Sequence, residues 1–306
     1  MSEISKKRGE FGEEVVKNLL SLVGWKSLLT GRDIPCIKPM DHRISNKGRN
    51  IHGIDFIFQY ESLLFKDTQE FILISSKYND EYSSNPVSKF KSHLRDIANA
   101  LECFKKSNLK NQFSAFAKNN KNYTGVIFWI DNGKDNTYDD VVERLADLRI
   151  EDDLEFDSIY LVDNRRAGFL FDTINFSNHF FDGKVEFFIP NTGHNDTIST
   201  RQTSSSVLPV QYINSSILPF KITQETLEIL VLNVIDGFEE DYLRRLISLS
   251  HNLTAGWANK IYILFPKFNK DLHGDIVDQI KLEFLDQSFV QKIIVGSFME
   301  DFRNVT

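Results

Sequence analysis

Ile51-His-Gly-Ile-Asp-Phe-Ile-Phe58 and Glu70-Phe-Ile-Leu-Ile-Ser-Ser-Lys-Tyr78, separated by residues 59–69, decide how this chain is read. Both stretches are dense in Ile and Phe and read as strands, and the connection between them is short enough for an antiparallel hairpin. Side chains alternate across a strand. Asp55 therefore shares a face with Gly53 and Ile57, while Ile54, Phe56 and Phe58 take the other. In the second strand Ser75 and Lys77 share a face, opposite Ile72, Ile74 and Ser76. A carboxylate or an ammonium in an otherwise apolar strand is costly unless it is paired or binds an ion.

Upstream, residues 8–24 carry apolar side chains at Phe11, Val15, Val16, Leu19, Leu20, Leu22 and Val23, a helical period, and Gly24-Trp25 ends the run. Glu13 lies in line with Val16, Leu20 and Val23, on the edge of the buried face, whereas Glu14 lies with Lys17, Asn18 and Ser21 on the wet one. Downstream, a helix is expected from about Ser88 to Lys106, with Phe90, Leu94, Ile97, Leu101 and Phe104 on one stripe.

The helix segment Gly9-Glu-Phe-Gly-Glu13, the segment His52-Gly-Ile-Asp55 and the strand Phe71-Ile-Leu-Ile-Ser-Ser-Lys77-Tyr78 resemble the PD-(D/E)xK restriction-endonuclease-like superfamily. The resemblance covers roughly the first 110 residues. It implies an α/β fold with a restriction-endonuclease-like mixed sheet flanked by helices; the elements beyond residue 206 add a second, smaller α/β domain at the C-terminus. It implies a Mg²⁺ (or Mn²⁺) site in which Asp55 bridges metal, Glu13 is the helix acid and the backbone carbonyl of Ser76 is a further ligand. Lys77 then stabilises or orients the attacking water. The chemistry is general: one or two divalent ions held by carboxylates activate water and neutralise the phosphorane, and a lysine adds charge where it develops.

The family's second acid belongs at position 75, where this chain has Ser75. Some superfamily members with Ser in that slot recruit a carboxylate from the following helix. Asp96 is the preferred substitute here, since it shares a flank with Lys89 and His93. Glu102, Asp80 and Glu81 are the other candidates.

For Asp55 and Lys77 the alternative is a half-buried structural ion pair across a hairpin; for Glu13, a solvated helix-edge acid. Lys89, Lys91, His93 and Arg95 open the helix after the second strand and could touch backbone phosphates, as could Arg43, Lys47 and Arg49, although a solvated charged face has the same composition. His52 either lines the site or is packed.

The wider chain sets limits. Its 306 residues are 41% hydrophobic and 26% charged, an ordinary globular mixture. No apolar run approaches the roughly 20 residues that span a bilayer, and no membrane partner is expected. Net charge is −7 and the isoelectric point about 5.6, which disfavours a nucleic-acid coat protein. Two cysteines make neither a disulfide framework nor a zinc site, no Cys or His cluster has zinc spacing, and a reduced cytoplasmic setting is expected. Phosphate-binding, dinucleotide and serine-hydrolase signatures are missing.

Residues 30–50 are polar and irregular. Strands are expected at Thr124–Ile130, Ser158–Val162 and Val185–Ile189, with a short acidic helix at Tyr138–Leu148. The polar stretch 191–206 reads as a linker, dividing a nuclease-like domain (1–190) from a small α/β domain (207–306) for assembly or sensing. That domain is expected to hold helices at Thr226–Ile235, Glu239–Asn252 and Asp275–Leu285, and strands at Lys260–Phe265 and Lys292–Val295.

The resulting expectation is a Mg²⁺-dependent nuclease. By resemblance it acts on DNA rather than RNA, in bacterial anti-phage defence, with a second protein subunit or as a homo-oligomer. The alternative is a catalytically silent nuclease-like scaffold or nucleic-acid-binding subunit, for which Ser75 speaks.

Overall fold

The structure is a computed structural model that describes residues 3–43, 46–82, 84–112, 118–133, 140–195 and 202–299. Two compact units divide at Gly168 and Phe169.

The first unit opens with α1 (Glu3–Leu22). Its buried stripe is Val16, Leu19, Leu20 and, just past the helix, Val23. Gly24, at φ 82°, caps the helix: its N–H bonds the carbonyl of Ser21 (3.1 Å) and Trp25 N–H that of Leu20 (2.8 Å). This is the paired-bond cap that glycine's left-handed freedom permits. It turns Trp25 inward to stack on Phe58 at 5.5 Å.

Five strands follow in the order β1 (Leu29–Pro35), β2 (Ile51–Glu61), β3 (Thr68–Asn79), β4 (Asn120–Asp131), β5 (Ser158–Val162). β1, β2 and β3 are antiparallel neighbours, and β3, β4 and β5 run parallel. The expected β2–β3 hairpin is present. β1 falls within the stretch read as irregular; its Leu-Thr-Gly-Arg-Asp-Ile-Pro sequence is mostly exposed and lacks the apolar alternation that marks a strand.

α2 (Pro86–Lys106) links β3 to β4 and buries Phe90, Leu94, Ile97, Leu101 and Phe104, the predicted stripe. Asn85 caps it by accepting from Ser88 N–H, with Pro86 at the first turn. Ile54, Ile57, Phe71, Leu73, Leu101 and Phe104 form one core cluster. Strict alternation therefore does not run through Asp55, because Ile54 and Ile57 pack into the same core. The β1–β2 register also skips the Gly31–Asp55 position, and Gly31 has φ 55°. The short helix expected at 138–148 is a single 3-10 turn, Glu143–Leu145; residues 138 and 139 lie outside the described residues.

α1 packs against β3 because Gly12 has no side chain. A Cβ there would lie 2.3 Å from Tyr78 Cβ. Gly12→Ala should cost about 1–3 kcal/mol through overpacking, read as a lower Tm. Gly9→Ala, where a Cβ meets nothing within 4 Å, should be neutral or stabilising by about 0.5–1 kcal/mol. Equal effects from the two would sink this account of the helix approach.

α3 (Asn164–Phe180) crosses the division between the units. The second unit carries a sheet ordered β11-β10-β9-β8-β6-β7, with β6 at Lys184–Phe188, β7 at Ser204–Ser205, β8 at Ile217–Thr223, β9 at Glu228–Val234, β10 at Lys260–Phe265 and β11 at Ile293–Ser297. α4 (Glu240–Thr254), α5 (Lys270–Leu282) and α6 (Gln287–Val290) complete it. β9, β10 and β11 are parallel.

Two expectations are corrected here. The domain boundary is not at 191–206: β6 pairs with β8 and β7 in the second sheet, and residues 203–205 of that stretch pair back along the end of β6, residues 196–201 lying outside the described ones. Where a helix is expected at 226–235, residues 228–234 form strand β9. Its run Ile-Leu-Val-Leu-Asn-Val is buried, and a strand buried on both faces loses the alternation that distinguishes it from a helix. β8 contains Pro219, which argues against a strand when read from sequence alone. Among the described residues no helix is long and apolar enough to cross a membrane.

Candidate active site

Asp55 sits where the regular β2–β3 ladder stops. The last paired residues are Phe56 and Ile74, and one step further the Asp55 carboxylate replaces the ladder by accepting from Ser76 N–H at 2.6 Å. The buried Ser75 side chain lies near enough to lower the Asp55 pKa. Burial nevertheless raises the Asp55 pKa above the usual carboxylate range, against the opposing pull of Ser76 N–H, Lys77 and Ser75, and the charge of Asp96 adds to the rise.

Glu13, on α1, is solvent-exposed but not independent. Partial burial raises its carboxyl pKa first, the neighbouring charges of Asp55 and Glu10 raise it further, and Lys77 opposes them. Glu13, Asp55 and Lys77 thus share one electrostatic neighbourhood, although the alternation breaks at Asp55 and Glu13 lies on the exposed side of its helix. Among the described residues no acid lies within 4.0 Å of the Lys77 ammonium. Asp55 and Lys77 therefore converge without forming the direct ion pair that the structural alternative requires.

The surroundings hold Lys77 in place. It is level with Trp129 of β4. Tyr82 O–H donates to the Trp129 carbonyl (2.8 Å) and accepts from Asn164 N–H (3.1 Å), while the Asn164 amide donates to the Asp131 carboxylate (3.1 Å). This buried network ties the β3–α2 connection to the end of β4 and the start of α3. His93 of α2 meets the Trp129 ring edge-on at 5.5 Å. Burial lowers its pKa to about 4, with Lys77 and Lys89 lowering it too and Asp96 opposing; it is neutral at pH 7.

Asp96 is the candidate acid nearest in effect, since its charge acts on Asp55 and His93. It is also held by Arg49, Nη1 to Oδ1 2.5 Å. Glu102 faces elsewhere, bonded to His42 Nε2 (3.1 Å) and Lys38 (2.5 Å), and Asp80 pairs with Arg8 (2.7 Å). Glu81 is exposed.

A cleft of about 700 Å³ runs along α2 beside Asp96, and Arg43, Arg49, Lys91 and Arg95 all line it. The two basic groups singled out separately in the sequence are thus parts of one surface. Arg95 is engaged with Glu151 and Asp153, and Lys89 stands exposed at the start of the helix. If phosphates lie in the cleft, Arg43→Ala and Lys91→Ala should each reduce the salt slope of nucleic-acid binding by about 1. Unchanged slopes in both variants would remove the cleft from the binding surface.

His52 does not line the acidic site. It is fully buried beside His42, Cys36 and Cys103, which corrects the expectation that this chain lacks a Cys and His cluster. Its four members come from distant segments, spaced 6, 10 and 51 residues apart, so no local motif signals it.

A family model, the GAPS4 protein PD-(D/E)XK nuclease domain, matches residues 1–166. The chain belongs to this family. The GAPS4 family is a nuclease family of anti-phage defence, and the matched range ends two residues before the division between the units. The mixed five-stranded sheet with its flanking helices agrees with the PD-(D/E)XK fold. Nucleases of this class typically use divalent metals. No curated protein is similar enough to match.

Proposed function

We propose that this GAPS4-family chain is a Mg²⁺- or Mn²⁺-dependent nuclease that hydrolyses phosphodiester bonds, of DNA in preference to RNA. It works in the cytoplasm in anti-phage defence, within a complex that includes a second protein subunit or further copies of itself. The second unit serves assembly or sensing. One observation carries the reading: a desolvated carboxylate, Asp55, lies beside Lys77 and Glu13 without being neutralised by an ion pair.

The residues fit a hard divalent cation. The charge of Asp55 raises the Glu13 pKa and that of Asp96 raises the Asp55 pKa, like-charge crowding that a cation relieves. Asp55, Glu13 and the Ser76 backbone carbonyl would hold the ion, with Asp96 in the place left by Ser75. A divalent cation held there would supply a nucleophilic water and charge neutralisation at the phosphate. Lys77 holds its ammonium where the phosphorane becomes negative. The Ser76 N–H holds Asp55 in position by hydrogen bonding. The cleft residues Arg43, Arg49 and Lys91 bind the backbone, which allows an acidic chain to reach nucleic acid.

The test is an assay of the full chain, alone and with its partner subunit, on linear DNA, circular DNA and RNA, with Mg²⁺, Mn²⁺ or EDTA. Metal-dependent cutting that Asp55→Ala and Lys77→Ala both abolish supports the reading. No cutting with any metal, in the complex as well as alone, favours the silent scaffold, which the missing acid at Ser75 would then explain.

A further inference from the structure

The Cys and His cluster takes no part in the acidic site. Cys36 follows β1, His42 lies in the turn after it, His52 is on β2 and Cys103 is on α2. Sheet pairing brings Cys36 beside His52, since Ile34 is level with His52 and Cys36 N–H bonds the Asn50 carbonyl at 2.8 Å; the turn between them supplies His42. α2 delivers the fourth. One ligand atom from each lies within 4.8 Å of all the others.

The distances discriminate between explanations. His42 Nδ1 is 3.3 Å from His52 Nε2. It is 3.5 Å from both sulfurs, and His52 Nε2 is 3.4 Å from Cys103 Sγ. A tetrahedral zinc ion with Zn–N about 2.05 Å and Zn–S about 2.3 Å has edges of about 3.35 Å (N to N) and about 3.55 Å (N to S). All four contacts match these edges. Hydrogen bonding would instead draw one donor and acceptor to about 2.9–3.0 Å and leave the others apart.

The outer contacts of His42 and Cys103 agree. His42 Nε2 lies 3.1 Å from Glu102 Oε2. A carboxylate only accepts, so the proton is on Nε2 and the bare Nδ1 points into the cluster. A carboxylate behind a ligating histidine is a recurrent zinc arrangement. Ile37 N–H donates to Cys103 Sγ at 3.4 Å, a contact that suits a thiolate.

We propose that Cys36, His42, His52 and Cys103 hold a structural zinc ion. Two thiolates balance its charge, as burial demands, and four protein ligands close the site to water, which makes it structural. It pins residues 36–52 to α2. That segment carries Arg43 and Arg49, so the ion holds one wall of the cleft and keeps Arg49 on Asp96.

The experiment uses the full chain expressed with zinc in the medium and purified under reducing conditions. Elemental analysis should find about one zinc per chain, retained through an EDTA wash that removes loosely held Mg²⁺. Co²⁺ loaded in its place should give thiolate-to-metal absorption and tetrahedral visible bands. Asp55→Ala should keep the zinc, whereas Cys36→Ser and Cys103→Ser should reduce it to near zero. A zinc-free chain without the cobalt bands overturns the proposal, as does zinc lost in Asp55→Ala but kept in the cysteine variants. Should Cys103→Ser fail to fold, the wild-type cobalt spectrum and the half-exposed Cys36 position still decide. Because zinc content is read independently of cutting, an inactive chain that holds zinc leaves this proposal standing while the nuclease reading fails.

Discussion

Asp55→Asn abolishes metal-dependent cutting, by on the order of 10³-fold or more, and in chelator raises the Tm of the same chain at neutral pH. The two effects have one cause. Burial raises the Asp55 pKa in the folded state, so the folded chain holds a proton that the unfolded chain has released. Between the two pKa values folding stability falls as pH rises, and above both the full penalty of a desolvated carboxylate remains. Asparagine lacks the charge but keeps an oxygen to accept from Ser76 N–H. The Tm advantage should therefore be present at pH 7–8 and vanish as pH approaches the ordinary carboxylate value of about 4. Mg²⁺ should raise the Tm of the wild type and not that of Asp55→Asn. A variant that melts lower than the wild type at pH 7 in EDTA would mean that Asp55 is a structural acid.

Lys77→Met keeps an unbranched stem of similar length and deletes only the ammonium. Cutting should fall by about 10²–10³-fold, the usual cost of removing one preorganised stabiliser of developing negative charge. DNA affinity should fall no more than loss of a single phosphate contact demands. Because Lys77 makes no close ion pair among the described residues, its loss leaves no partner unpaired, and stability should change little. The Mg²⁺-induced rise in Tm should persist, separating Lys77 from the ligands. A large fall in Tm together with lost metal response would assign Lys77 to holding the carboxylates, and the proposed role in the transition state would fail.

The candidates for the acidic site could be named from short periods, although Asp55 lies where the strand alternation breaks. The pleat places Lys77 with Ser75, the helical period places Glu13 beside the buried face, and the short 59–69 connection makes β2 and β3 neighbours. The basic residues were legible as two groups but not as one cleft, because Arg43 and Arg49 meet Lys91 only through the packing of α2. Strand β9 was misread since its buried run carries no period.

What the amino-acid order determined by itself was local: the first helix with its glycine cap, the hairpin, the stripe of α2, and the family resemblance lodged in them. Tertiary structure alone decided that the charge of Asp96 rather than Glu102 acts on Asp55, that β6 belongs to the second unit, and that two cysteines and two histidines share one buried point. Local conformation depends on neighbours three or four residues away, which can be read directly. Strand register and helix docking bring together residues dozens of positions apart, and no local period records those distances.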